Sequence, residues 1–174
     1  MLGLILIYVG LILLHNGIAG ILNFDKKSFA FLNIVVGCIA LFCQLIYLIF
    51  LIQNNATNTA FFAPAVALLF GITYLFAGFN SLFSWDTRPY GYFCLFVCIN
   101  VLIVAYTDFV GYFGKVNVIG SLIWFAWAVL WFLGFLECSL KKNLGKTSSY
   151  LAILEGIFTA WIPGLLLLLG LWTW

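Results

Sequence analysis

Charged side chains are nearly absent from this chain: seven bases and five acids among 174 residues, 7% of the total. A soluble domain carries roughly a quarter, so that class is excluded and lipid must be the solvent. Long polar stretches are missing as well. The longest, Gln53 to Thr59 and Lys141 to Ser149, leave nothing for a soluble domain, and any function is expected inside the membrane. Histidine occurs once, at His15, and no Cys-x-x-Cys pair exists. A zinc cage or a redox couple therefore lacks its ligands, and no metal or cofactor is expected. The cysteines, Cys38, Cys43, Cys94, Cys98 and Cys138, all fall within apolar stretches and read as small packing residues. The bases are scattered instead of clustered, which gives no footprint for nucleic acid. Neither a nucleophile beside an oriented base nor a pair of facing carboxylates can be assembled, so the chain does not read as an enzyme.

What is present is apolar mass, 66% of the residues, with 20% aromatic. A bilayer core needs about 20 apolar residues per helical span. The sequence divides into six spans, at about 2–22, 29–52, 60–83, 90–107, 116–138 and 148–172. This predicts an all-α membrane protein, a six-transmembrane-helix bundle of three hairpins forming one domain over residues 1–174. The first span starts at Met1 without a basic leader and runs the full membrane thickness, so it reads as a retained helix and not a signal peptide. Lys26 and Lys27 lie in the first joint, Arg88 in the third and Lys141, Lys142 and Lys146 in the fifth. The second joint has no base and the fourth only Lys115. By the positive-inside rule, joints one, three and five face the cytoplasm. Both termini then lie outside, with Trp172 and Trp174 placed as interfacial anchors. The joints at Asp25-Lys26-Lys27-Ser28 and Asp86-Thr87-Arg88-Pro89 share an acid, a base and a helix-starting residue.

Gly3, Gly10 and Gly17 recur every seven residues on the first helix, a stripe suited to close helix packing. Three ionisable residues lie within spans, where each is a candidate for function. Glu137, four positions before Lys141, is placed for a helical ion pair. His15 suits either a hydrogen bond to a backbone carbonyl or a pore role. Glu155 has no local partner, and so reads as bonded to a neighbouring helix or bordering water. The stronger signal is aromatic. Trp124, Trp127 and Trp131 follow an i, i+3, i+7 spacing, which stacks three indoles over roughly 10 Å of one helix face, and Phe70 and Tyr74 lie one turn apart. Such a stripe is ordinarily core or lipid-facing. If it lines a slot, rigid ring faces admit thin planar solutes, and the absence of charge favours a small, neutral, polar permeant.

Several segments resemble a known family. They are Met1-Leu2-Gly3-Leu4 through Tyr8-Val9-Gly10, Asn16-Gly17, Leu69-Phe70-Gly71-Ile72-Thr73-Tyr74-Leu75, Asp86-Thr87-Arg88-Pro89-Tyr90, Trp124-Phe125-Ala126-Trp127 with Trp131, Leu144-Gly145-Lys146, and Leu151 through Pro163 with the run Ile153-Leu154-Glu155-Gly156-Ile157-Phe158-Thr159-Ala160-Trp161-Ile162. Together they look like the bacterial urea-channel and amide-transporter family of UreI and AmiS type. The resemblance implies a six-helix protomer of the bacterial inner membrane, assembled as a homo-hexamer around a central lipid plug, with a urea path through each protomer. It also implies that Phe70, Tyr74, Trp124, Trp127 and Trp131 form an aromatic constriction on the cytoplasmic side. Leu6, Val9, Leu13 and Leu130, with Glu155 nearby, match the outer constriction, although the topology above puts Glu155 nearer the cytoplasm.

Acid-gated members of that family carry a long, histidine-containing external loop between spans two and three. Here that joint is Gln53 to Thr59, with no titratable group, and a channel open at neutral pH without proton gating is expected. Three readings follow: a passive urea channel supplying a cytosolic urease, a channel for short aliphatic amides, or a structural membrane protein whose tryptophans only pack. Active transport is disfavoured, since ion coupling normally needs buried acids or broken helices at mid-membrane and only Glu155 could serve.

Overall fold

A computed structural model of the chain describes Met1 to Trp174 apart from the side chain of Lys26; the Lys26 charge counted in the topology above lies outside the described residues. The elements are α1 (Leu2–Leu22), α2 (Lys26–Gln53), a 3-10 turn (Asn58–Phe61), α3 (Phe62–Phe83), α4 (Arg88–Val110), α5 (Val118–Cys138), α6 (Thr147–Glu155), a π-helical turn (Gly156–Trp161) and α7 (Ile162–Leu168). The last three are continuous, so six helices are long and apolar enough to span a membrane. All of the regular structure is helical, as the fold class requires.

Local chemistry sets the joints. The Asp25 side chain accepts from the Ser28 amide at 3.0 Å and caps α2, while Asp86 accepts from the Arg88 amide at 3.0 Å at the start of α4. Asn23 and Ser84 adopt left-handed φ values of 54° where α1 and α3 end. Asn117 accepts from the Gly120 amide to cap α5.

The six spans close into a ring in chain order, the last packing on the first. The closest packing, however, is not within the hairpins joined at the basic end. It lies between α2 and α3, between α4 and α5, and between α1 and the α6–α7 span. Glycines explain the offset. A Cβ on Gly37 would sit 2.9 Å from the Gly71 carbonyl, one on Gly91 2.6 Å from the Ser139 amide, and one on Gly10 2.8 Å from the Trp161 backbone. Lipid tails are as apolar as leucine, so helices associate in a bilayer through such backbone proximity and not through hydrophobicity. The heptad stripe of Gly3, Gly10 and Gly17 faces the last span, against Gly164, Trp161 and Ser149 respectively.

The sixth span ends sooner than hydropathy alone predicts. Gly170 takes φ 69°, and the Leu171 amide donates to the Leu166 carbonyl, closing a left-handed helix end. Trp172 and Trp174 therefore lie beyond the helix, where both pack against the core of the bundle. The π turn follows from Pro163, which has no N–H and whose ring would crowd the carbonyl four residues earlier; widening the preceding turn relieves that crowding.

Candidate permeation pathway

A cavity of about 660 Å³ runs up the centre of the ring from the end bearing joints one, three and five. Asn23, Phe24, Glu137, Cys138 and Ser148 border its mouth, and it narrows to a stop at Val9, Phe70 and Trp127. Its wall is mainly apolar, with Asn16, Thr73, Tyr74 and Tyr90 adding polar atoms. Asn16 is fixed by a reciprocal amide pair. It donates to Asn33 at 2.9 Å and accepts from Asn33 at 2.7 Å, locking α1 to α2.

The stop is aromatic. Phe70 meets Trp131, Trp127 and Trp124 edge-on, with ring centroids 4.7, 5.1 and 5.7 Å away, the geometry that the ring quadrupoles favour. Two indoles are pinned by threonines of other helices. Trp127 Nε1 donates to Thr159 Oγ1 at 2.7 Å and Trp131 Nε1 to Thr73 Oγ1 at 3.3 Å. Each threonine donates in turn to the carbonyl four residues before it, at Glu155 and Leu69. The hydroxyl lone pairs are thereby left to face the indoles. These acceptors lie 32 and 58 positions from their tryptophans, and no local spacing points to them.

Of the residues expected along a path, Val9, Leu13, Phe70, Tyr74, Trp127, Leu130 and Trp131 line this cavity, while Leu6, Trp124 and Glu155 do not. Leu6 is buried one turn beyond Val9, towards the opposite end. Trp124 also lies beyond the stop, against Trp174, so the column extends past the inner end of the cavity. Glu155 is 2% exposed, and neither carboxylate oxygen has a hydrogen-bond partner. The next residue, Gly156, packs on Leu13 and the Gly10 carbonyl, which sets Glu155 at mid-bundle, level with Leu13.

Two expectations change. Glu137 forms no ion pair with Lys141, because α5 stops at Cys138 and Lys141 adopts φ 53°, which removes the helical i, i+4 geometry. Lys141 Nζ donates instead to Thr87 Oγ1 at 2.6 Å, and Glu137 lines the cavity mouth. Among the described residues the only ion pair is Arg88 with Asp86, at 2.7 Å. His15 stands outside the cavity wall; its ring lies 6.4 Å from Phe29 and its Nε2 is buried without a hydrogen-bond partner.

Comparison with known proteins agrees with this architecture. The AmiS/UreI family transporter profile matches residues 1–171. The chain is 39% identical to the acid-activated urea channel of Helicobacter pylori, over 99% of this chain and 100% of that protein. It is 31% identical to a Mycolicibacterium smegmatis protein described as a transporter of amidate substrates, over 98% of this chain and 78% of that one. The cryo-electron microscopy structure of the H. pylori urea channel in its closed state superposes with a TM-score of 0.89 at 39% identity, over 99% of this chain and 100% of the other.

Proposed function

Because the chain belongs to the AmiS/UreI family of membrane transporters, whose members are not enzymes, we propose that it is a passive urea channel, open at neutral pH and supplying a cytosolic urease. The observation that carries this reading is the central cavity ending on a stop of rigid rings in edge-on contact, which we take as the closed form of a slot. A thin planar solute passes edge-on between such faces, whereas a hydrated ion meets no ring of charge to replace its water. In this reading Phe70, Tyr74, Trp127, Leu130 and Trp131 form the slot, and Val9, Leu13 and Leu6 continue the path beyond it. Glu155, level with Leu13 but off the cavity wall, is assigned to the path beyond the slot, because a buried carboxyl without a partner is costly. The basic end faces the cytoplasm and both termini lie outside.

Proton gating is not part of the proposal. The 53–59 joint holds no titratable group, and His15 lies off the cavity, beside Phe29 at the start of α2. We also assign the functional unit to a homo-hexamer enclosing lipid. Asn100, at mid-length of α4, sits on a face of exposed apolar chains including Phe96, Ile99 and Ile103. Its Nδ2 donates to the Phe96 carbonyl at 2.8 Å, which leaves its side-chain oxygen to face hydrocarbon at a cost that a second copy removes by covering it. The second reading, a channel for short amides, is favoured by the likeness to the amidate transporter; one added methyl changes fit by only about 1–3 kcal/mol.

Light-scattering uptake into proteoliposomes, at about pH 7.5 and about pH 5 to bracket histidine titration, tests the proposal with Trp131→Ala alongside. Rapid urea entry at both values, altered in the variant, is expected. Entry only in acid overturns the ungated account, and entry of acetamide without urea moves the assignment to the second reading.

A further inference from the structure

Glu137 carries a charge that the permeation path does not use. It is the only ionisable acid or base lining the central cavity, and it stands at the mouth. The Ser148 hydroxyl bonds it, and among the described residues no base pairs with it, the only ion pair being Arg88 with Asp86. Lys141 and Lys146, bases of the joint that follows, are engaged by Thr87 and the Ile21 carbonyl. A carboxylate accepts about four hydrogen bonds, so one hydroxyl leaves it with acceptor capacity. Further in, the wall offers little to a polar molecule. Asn16 is engaged with Asn33, Thr73 with the Leu69 carbonyl and Trp131, and Tyr90 with Cys94. The volume of about 660 Å³ is far more than one small amide fills. It falls within the roughly 300–1,000 Å³ of pockets that take drug-sized, mainly apolar ligands oriented by a few polar groups.

We infer that the cavity is also a binding site for an amphipathic organic cation, an alkylguanidinium whose head pairs with Glu137 at the mouth and whose tail lies along the apolar wall. The planar head forms paired N–H···O bonds with a carboxylate and stacks on aromatic faces, which Phe24 and Phe29 supply beside it. Trp131 precedes Glu137 by six positions on α5, roughly 9 Å along the helix axis, a distance that a hexyl chain spans. The head goes no further, because no charged group lines the inner wall. A molecule so held fills the path below Phe70 and blocks it from the basic end. Alkali ions lack the tail and the planar fork, and keep their water.

The block rests on the channel reading and the binding does not, so the two are measured separately. n-Hexylguanidinium is titrated against the parent, Glu137→Gln and Glu137→Asp in a neutral detergent. Indole fluorescence reports binding, because Trp127 and Trp131 line the inner end of the cavity. The same compound is titrated against urea entry into proteoliposomes, each protein being compared with its own uninhibited rate. Saturable binding to the parent is expected, with half-block of urea entry at the same concentration. Loss of the charged hydrogen bonds in Glu137→Gln raises that concentration roughly ten- to hundredfold, while Glu137→Asp stays near the parent. n-Hexylurea, which has the tail and no charge, binds the parent as weakly as n-hexylguanidinium binds Glu137→Gln. Each methylene removed from the tail weakens binding roughly threefold. Equal affinity for the parent and Glu137→Gln, equal affinity for the charged and neutral compounds, or no saturable change in the parent overturns the site. Charge-dependent binding without slower urea entry overturns the block. Charge-dependent binding to a parent that passes neither urea nor amides upholds the site and overturns the channel reading.

Discussion

At Thr159 one hydroxyl serves two bonds, donating to Glu155 and accepting from Trp127. Thr159→Val keeps the shape but strands a buried indole N–H, a loss of about 1–3 kcal/mol; the melting temperature in detergent falls, and Thr159→Ser restores it. Asp86 is a milder case. The hydrogen bond from Arg88 holds its carboxyl at about 2, below an unfolded value near ~4. The pair's contribution to stability is complete above that unfolded value and disappears as pH falls towards about 2. Asp86→Asn should therefore lower the melting temperature slightly at neutral pH and match the parent at the acid end, the effect being small because both groups face water. Spacing alone made the Trp124, Trp127 and Trp131 column legible, since helical periodicity is a local property. The threonines that orient it were not, because each sits on another helix, and the Glu137–Lys141 pair was misread because a helix end intervened where the sequence carries no glycine or proline to mark it.

Between elements, backbone proximity decides which helices pair. Gly10→Val drives a branched side chain into the Trp161 backbone, 2.8 Å from the first added carbon. It should abolish the folded monodisperse species on size-exclusion chromatography. Gly134→Ala is the graded control: its nearest neighbour is Cys94 Sγ at 3.3 Å, and a shift of a few tenths of an ångström accommodates it. Pro163→Ala removes the ring that demands the π turn, and the regular helix that follows carries Thr159 away from Trp127. Slower urea entry with a preserved fold is the expected outcome in the proteoliposome assay. Hydropathy made the six spans readable, since length and apolarity set them. It could not reveal that the tight pairs are offset from the hairpins, because lipid cancels the hydrophobic signal and leaves the decision to scattered glycines.

For the whole molecule, the ring closes only when the last span meets the first. Lys146 Nζ donates to the Ile21 carbonyl at 2.9 Å, across 125 positions, satisfying an otherwise open acceptor at the end of α1. Synthesis runs from the N-terminus, so α2 with α3 and α4 with α5 can zip together as neighbours while the chain still emerges. The glycine face of α1 finds no mate until residues 149–164 are made. The earliest helix to enter the bilayer is the latest to be clasped, and until then it is held to its neighbour by little more than the Asn16–Asn33 amide pair.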